Sequence, residues 1–220
     1  MNEHRLLSKE DAKAFYDRFG AKQDTQAFYE NPALERLFEH ARFETAGHIL
    51  EFGCGTGRLA EEILRDRAPV NACYTGCDIS KTMVSLAGGR LSDFGERAQI
   101  RQTDGTVVLP AGDRTVDRVV STYVLDLLAG EDITSFFAEA HRVLSNGGLL
   151  CLAGLTHGTT LPSKALCGVW RTLHRVSPRF VGGCRPVNLL DFLDDSAWTP
   201  VYHATVVTWG VPSQVLVAAR

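Results

Sequence analysis

The segment Glu51-Phe52-Gly53-Cys54-Gly55-Thr56-Gly57 follows a carboxylate with three glycines at alternate positions. Glycines so placed let a chain turn tightly and let a ligand lie against bare backbone. The start of a helix beyond them offers unpaired N–H groups. The spacing departs from the dinucleotide fingerprint GxGxxG, because the third glycine comes one position early and Arg58 stands where that fingerprint wants glycine. A carboxylate at Glu51 suits the ammonium group of an amino-acid ligand better than a pyrophosphate. Asp78 stands 21 residues after Gly57, where a carboxylate in a doubly wound sheet can accept hydrogen bonds from both hydroxyls of a ribose. Asp104-Gly105 offers a carboxylate to the exocyclic amine of an adenine, although Asp-Gly is also a common turn pair. Ser121-Thr122-Tyr123 would flank the same crevice.

Such residues need elements to hold them. His48–Phe52 reads as a short apolar strand, and Leu59, Ala60, Ile63 and Leu64 follow with helical period. Ala72–Cys77 reads as a second strand. Ser80 is a cap for a helix carrying Met83, Val84, Ala87, Leu91 and Phe94. Gln99–Gln102 is a weaker third strand and Val116–Leu125 a fourth. Ile133, Phe136, Phe137, Ala140, Val143 and Leu144 form an amphipathic helix that Gly147-Gly148 should end, and Leu149–Leu155 is a fifth strand. Strand and helix in alternation predict a parallel sheet with helices on both faces. Val201–Trp209 and Val211–Ala219 are joined by little more than Gly210, which permits only an antiparallel hairpin. Before the first strand, Ser8 with Asp11 resembles a capping box, Gly20 suits a helix stop, and Asn31-Pro32 reads as an N-cap with a first-turn proline. Between the fifth strand and the hairpin, His157–Pro186 is expected to be helical in part, and Asn188–Asp195 to form a short helix.

The formal net charge of −3 over 220 residues lacks the basic excess of a duplex-binding surface, so nucleic acid is not an expected partner. The longest apolar stretch, near Gly147–Leu155, falls far short of the ~20 residues of a membrane span. The charged N-terminus, MNEHRLLSKEDAK, does not read as a secretory signal. Six cysteines at positions 54, 73, 77, 151, 167 and 184 fit no zinc spacing, so no metal is expected, and a reducing cytoplasm is the expected compartment.

Taken in order, ILEFGCGTGRLA, GCDIS with its following methionine, TDG…LP, DRVVSTYVL and EAHRVLSNGGLL resemble the class I S-adenosylmethionine (SAM)-dependent methyltransferases. The chain is most similar to the ubiquinone/menaquinone-type enzymes that treat small metabolites. The match covers roughly residues 49–155. It implies an α/β, Rossmann-like, seven-stranded and mostly parallel sheet with a C-terminal antiparallel hairpin and helices on both faces. One domain is implied over residues 1–220: a helical lid over 1–45, a SAM-binding core over 46–156, and a substrate-side insertion with the closing hairpin over 157–220. By resemblance, Glu51, Gly53, Cys54 and Gly55 cradle the methionine part of SAM, Asp78 binds its ribose, Ile79 and Met83 flank its adenine, and Asp104 and Gly105 meet the adenine edge. Ser121 and Thr122 match the start of the loop after the fourth strand. Tyr16, Lys22 and Tyr29 are candidate lid contacts.

On the acceptor side, Asp126 and His157 are candidate proton acceptors or substrate clamps. Tyr123, Trp170, His174 and Arg185 are candidate substrate contacts, with Arg185 able to hold an acidic group. The expected activity is methyl transfer to a small molecule. The alternatives are a nicotinamide-dependent Rossmann oxidoreductase and a SAM-binding regulatory protein without turnover.

Overall fold

The computed structural model describes residues 6–177 and 182–220. Residues Met1–Arg5, part of the N-terminus just discussed, and 178–181, part of the insertion, lie outside the described residues. Seven strands form one sheet in the order β3-β2-β1-β4-β5-β7-β6: β1 (His48–Phe52), β2 (Cys73–Asp78), β3 (Ala98–Gln102), β4 (Val116–Thr122), β5 (Leu144–Leu155), β6 (Thr199–Thr208) and β7 (Val211–Ala219). The first five pair in parallel; β7 inserts antiparallel between β5 and β6. The strand order reverses between β1 and β4, and open α/β sheets bind ligands at such a switch point.

Alternation along the central strands buries both faces. Leu149, Cys151 and Ala153 of β5 join Val215 and Val217 of β7 on one face, under α2 (Ala27–Ala41), α3 (Arg58–Glu62) and α4 (Lys81–Arg90). Leu150, Leu152, Leu216 and Ala218 face the other way, onto Ile133, Phe136, Phe137 and Ala140 of α5 (Gly130–Val143). Among the described residues, two further α-helices are α1 (Lys9–Phe19), before α2, and α6 (Leu161–Val176), after β5.

Several local expectations change. Ser8 does cap α1, accepting from the Asp11 amide, and Gly20 ends it at φ 52°. The second helix, however, starts at Ala27, so Pro32 sits inside it and Asn31 is not its cap. The Asn31 side chain instead accepts from Arg58 at 2.7 Å, and a proline in the second turn displaces only one hydrogen bond near the helix start. The strand expected over Val116–Leu125 stops at Thr122, because Tyr123 turns to φ 56° and Leu125–Leu127 forms a 3-10 turn. Gly147-Gly148 does not end α5: the helix stops at Val143, and the glycine pair lies inside β5, where the register to β4 shifts. Asn188–Asp195 contains only a single 3-10 turn, Leu189–Phe192.

Candidate functional site

The glycine turn is built by left-handed backbone. Gly53, Gly55 and Gly57 have φ of 76°, 52° and 77°, a region where a side chain is strained. The amides of Gly53 and Cys54 both donate to the Cys77 carbonyl, at 2.8 and 3.0 Å, which stitches the turn to the end of β2. The Gly55 amide then donates to Asp78 Oδ2 at 3.0 Å, and the Ser80 amide to Asp78 Oδ1 at 2.8 Å. A carboxylate has about four lone-pair sites, so Asp78 keeps acceptor capacity beyond these bonds. Burial pushes the Asp78 pKa up, opposed by the Ser80 and Gly55 amides.

Over this turn lies a cavity of about 290 Å³. It brings together Tyr16, Gly53, Gly55, Asp78, Ile79, Gly105 and Tyr123 from the expected set. A Cβ on Gly53 would come 2.3 Å from Val124 Cγ2, and one on Gly105 would come 2.7 Å from Ile79 Cδ1. The N-terminal segment roofs the cavity. Gln23 reaches over Gly55, with its Oε1 buried and without a hydrogen-bond partner. Two polar locks hold the roof down. Asp17 accepts from Ser80 Oγ at 2.6 Å and from the Thr82 amide at 3.2 Å. Hydrogen bonds from Lys13 and Ser80 hold its pKa down at about 2. Asp24 accepts from Thr56 Oγ1 and from Arg90, each at 2.6 Å.

Other expected residues lie elsewhere. Lys22 is exposed and does not line the cavity. Glu51, Cys54 and Thr122 open instead onto a neighbouring cleft of about 40 Å³, which shares Gln23, Gly53 and Tyr123 with the larger one. Glu51 is buried and accepts from the Tyr74 hydroxyl at 2.5 Å. That hydroxyl finds room because residue 76 is glycine, whose Cβ would otherwise sit 2.7 Å from it. Burial raises the Glu51 pKa to about 7 against the pull of Tyr74. Met83 is in the core. Asp104 is exposed, and its carboxylate closes a turn on the amide and hydroxyl of Thr106 at 2.9 and 2.6 Å. Ser121 ties β4 to β1 through the Phe52 carbonyl at 2.9 Å.

The acceptor-side set is dispersed. Tyr123 lines the cavity, donates to Ser213 Oγ at 2.9 Å and meets the Tyr29 ring edge-on at 5.9 Å. Asp126 is buried, 1% exposed, behind the cavity wall. Neither of its oxygens meets a donor in hydrogen-bonding geometry. Burial raises its pKa to about 7, with the Arg185 charge and the Cys184 thiol opposing. His157 is exposed, and His174 is buried on α6. Trp170 Nε1 donates to the Cys184 carbonyl at 2.9 Å, and Arg185 donates to the Leu128 carbonyl at 2.6 Å. Neither side chain enters the cavity.

Reasoning from motifs missed much of the apolar wall: Leu6, Leu7, Ala12, Val124, Leu127 and Leu128. It also missed Gln23, Thr103 and Asp132. For Gln23 a signal existed, since it sits within the expected lid one position from Lys22. The others belong to loops whose facing is set by tertiary packing.

Residues 49–148 match the model of a methyltransferase domain family. A malonyl-[acyl-carrier protein] O-methyltransferase of Geobacter sulfurreducens is 32% identical over 162 residues, covering 73% of this chain and 58% of that protein. A demethylmenaquinone methyltransferase of Tropheryma whipplei is 33% identical over 114 residues, 51% of this chain and 44% of that protein. The chain thus spans about half the length of these curated relatives. A geranyl diphosphate methyltransferase solved with GPP and sinefungin superposes with a TM-score of 0.70 at 13% identity, covering 96% of this chain and 98% of that one. At that identity the likeness speaks for the fold alone. Neither the nicotinamide-dependent oxidoreductase nor the non-catalytic binder finds support among these matches.

Proposed function

We propose that this chain, whose residues 49–148 match a methyltransferase domain family, is a class I SAM-dependent methyltransferase that transfers the methyl group of SAM to a small-molecule acceptor. One observation carries the reading: the bare-backbone turn at Gly53–Gly57 closes onto the Asp78 carboxylate in a single crevice, through the 3.0 Å bond from the Gly55 amide. The residues present fit SAM. Gly53 and Gly55 leave backbone free for an amino-acid tail, and the remaining lone pairs of Asp78 match a ribose diol. Ile79 and Gly105 give an adenine a flat apolar edge, and the unpartnered Gln23 Oε1 is an acceptor for an ammonium group.

When bound, SAM supplies a methyl group on a positively charged sulfur, open to in-line attack by a nucleophile. The work of this chain is positioning and exclusion of water. Tyr16 and Gln23 close the site from the lid, while Tyr123 and Val124 form the wall that an acceptor would meet. Asp126, behind that wall and holding its proton up to about pH 7, serves the acceptor side as a proton acceptor only if the wall moves.

The proposal extends to the organisation of the chain: one domain over residues 1–220, with lid, core and insertion divided at 45/46 and 156/157. It extends also to a cytoplasmic setting without a nucleic-acid partner, which the six free cysteines support. Titration calorimetry with S-adenosylhomocysteine and with NAD tests the reading. Binding of the first in the micromolar range with no response to the second is expected, and the reverse result would retire it.

A further inference from the structure

Helix α6 turns an apolar stripe outward. Leu161, Ala165, Val169, Leu173 and Val176 succeed one another at spacings of four, four, four and three, which places them on one side of a 3.6-residue helix. Leu161 is 84% exposed, Val169 58% and Val176 72%. The helix is otherwise anchored. Thr160 and Ser163 cap its start reciprocally, Cys167 and His174 are buried, and Trp170 bonds the loop at Cys184. At the tip of the β6–β7 hairpin, Trp209 is 82% exposed. Its neighbour Gly210 packs against Leu166, with a Cβ there lying 3.5 Å from Leu166 Cδ2, so the tip abuts α6.

The charge of this region runs against that of the whole. The chain carries −3 overall, yet residues 140–190 contain no Asp or Glu. Within them, the α6 sequence carries Lys164, Arg171 and Arg175 as its charged residues, and Lys164 is exposed. An exposed apolar stripe on a helix whose charged residues are all basic is the pattern of a helix lying in the headgroup layer of a bilayer. An exposed tryptophan next to it fits the same layer. A symmetric pairing of two copies through the stripe would set two basic helices near each other with no local acid to offset them.

We propose that α6 and the tip of the β6–β7 hairpin form a docking surface for an anionic lipid bilayer, entered by the apolar stripe and attracted by the basic, acid-free charge of the segment. The docking is peripheral: among the described residues no helix is long and apolar enough to cross a membrane. Through the Trp170–Cys184 contact, the docked helix is tied to the loop carrying Gly183. That loop packs on Leu7 and Leu127 of the cavity wall.

Co-sedimentation of the full chain with phosphatidylglycerol-containing vesicles, against vesicles of phosphatidylcholine alone, tests the proposal. Partition is expected to be ~10-fold stronger on the anionic vesicles, to weaken with added salt, and to fall ~10-fold in V169D/V176D. Circular dichroism checks that this variant folds. Should it not, Lys164→Glu and Trp209→Ala carry the same readout singly. Equal binding to both vesicle types, no binding, or wild-type binding by folded variants would overturn the proposal. So would a dimer seen by light scattering that V169D/V176D dissolves, which assigns the stripe to a second copy.

Discussion

The two halves of the crevice are built on different principles. At the ends of β1 and β2 the site is made of backbone: amides of Gly53, Cys54, Gly55 and Ser80 fix the turn to Cys77 and Asp78 within a few residues of each other. Beyond β4 and β5 the site is made of side chains and loops brought from far apart. Most of the polar groups expected there (Asp126, His157, Trp170, His174 and Arg185) are buried behind the wall, exposed away from it, or bonded to main-chain carbonyls. A backbone-built half tolerates change in its neighbours but not in its own glycines. A side-chain-built half can change its specificity without losing the fold.

The sharpest way to break this contrast is Gly53→Ala. The new Cβ would meet Val124 at 2.3 Å on a backbone at φ 76°. S-adenosylhomocysteine affinity measured by calorimetry is expected to fall by more than ~100-fold, with a stability loss of roughly 2–3 kcal/mol. Near-normal binding would mean that the turn is not the ligand's cradle.

Asp126→Asn probes the other half. Burial raises the folded-state pKa of Asp126 from 3.8 to about 7. Between those values the folded state holds a proton that the unfolded state has lost, so the contribution of Asp126 to stability falls as pH rises through that window and is level above it. The variant is therefore expected to gain on the wild type across the window, reaching roughly 2–4 kcal/mol at pH 8. Urea unfolding at a series of pH values measures it, and a pH-independent difference would show that the carboxyl is not held neutral. Glu51 and Glu30 are raised similarly by burial, so only the difference between the two proteins is diagnostic.

Asp78→Ala removes the acceptor proposed for the ribose. A loss of about 10- to 100-fold in S-adenosylhomocysteine affinity is expected, since hydrogen bonds to a charged group are lost. Unchanged affinity would detach the carboxylate from the site. The smallest effects are expected from Lys22→Ala and His157→Ala, both at exposed positions off the cavity. Each should leave ligand affinity and stability within about 0.5 kcal/mol of the parent. A large loss from either would mean that the lid or the loop after β5 closes further when ligand binds.

The elements that position the site were largely legible from short-range pattern. Glycines at alternate positions after a strand announce a left-handed turn, the apolar period of Ile133–Val143 announces α5, and the two-residue link Trp209-Gly210 before β7 forces an antiparallel pair. Where the reading slipped, the competing influence was tertiary. Asn31 looks like a cap until Arg58 claims its side chain. Gly147-Gly148 looks like a helix stop, yet it lies inside β5, at the irregularity between the Leu144 and Leu149 pairings with β4. Asp104 looks equally like an adenine contact and a turn residue, and the Thr106 hydroxyl in this structure completes the turn.

By itself the sequence determined the sheet class, the glycine turn and the carboxylate at the end of β2. Each of these follows from backbone freedom or hydrophobic period over fewer than about ten residues. Only the tertiary structure decided which side chains reach the cavity. Facing depends on turns such as Tyr123 at φ 56° and on distant partners: Asp17 and Asp24 fasten the N-terminal segment so that Gln23 rather than Lys22 lies over Gly55. Burial then sets the charge of Glu51 and Asp126, because desolvation is a property of everything packed around a group and is written in no local stretch of chain.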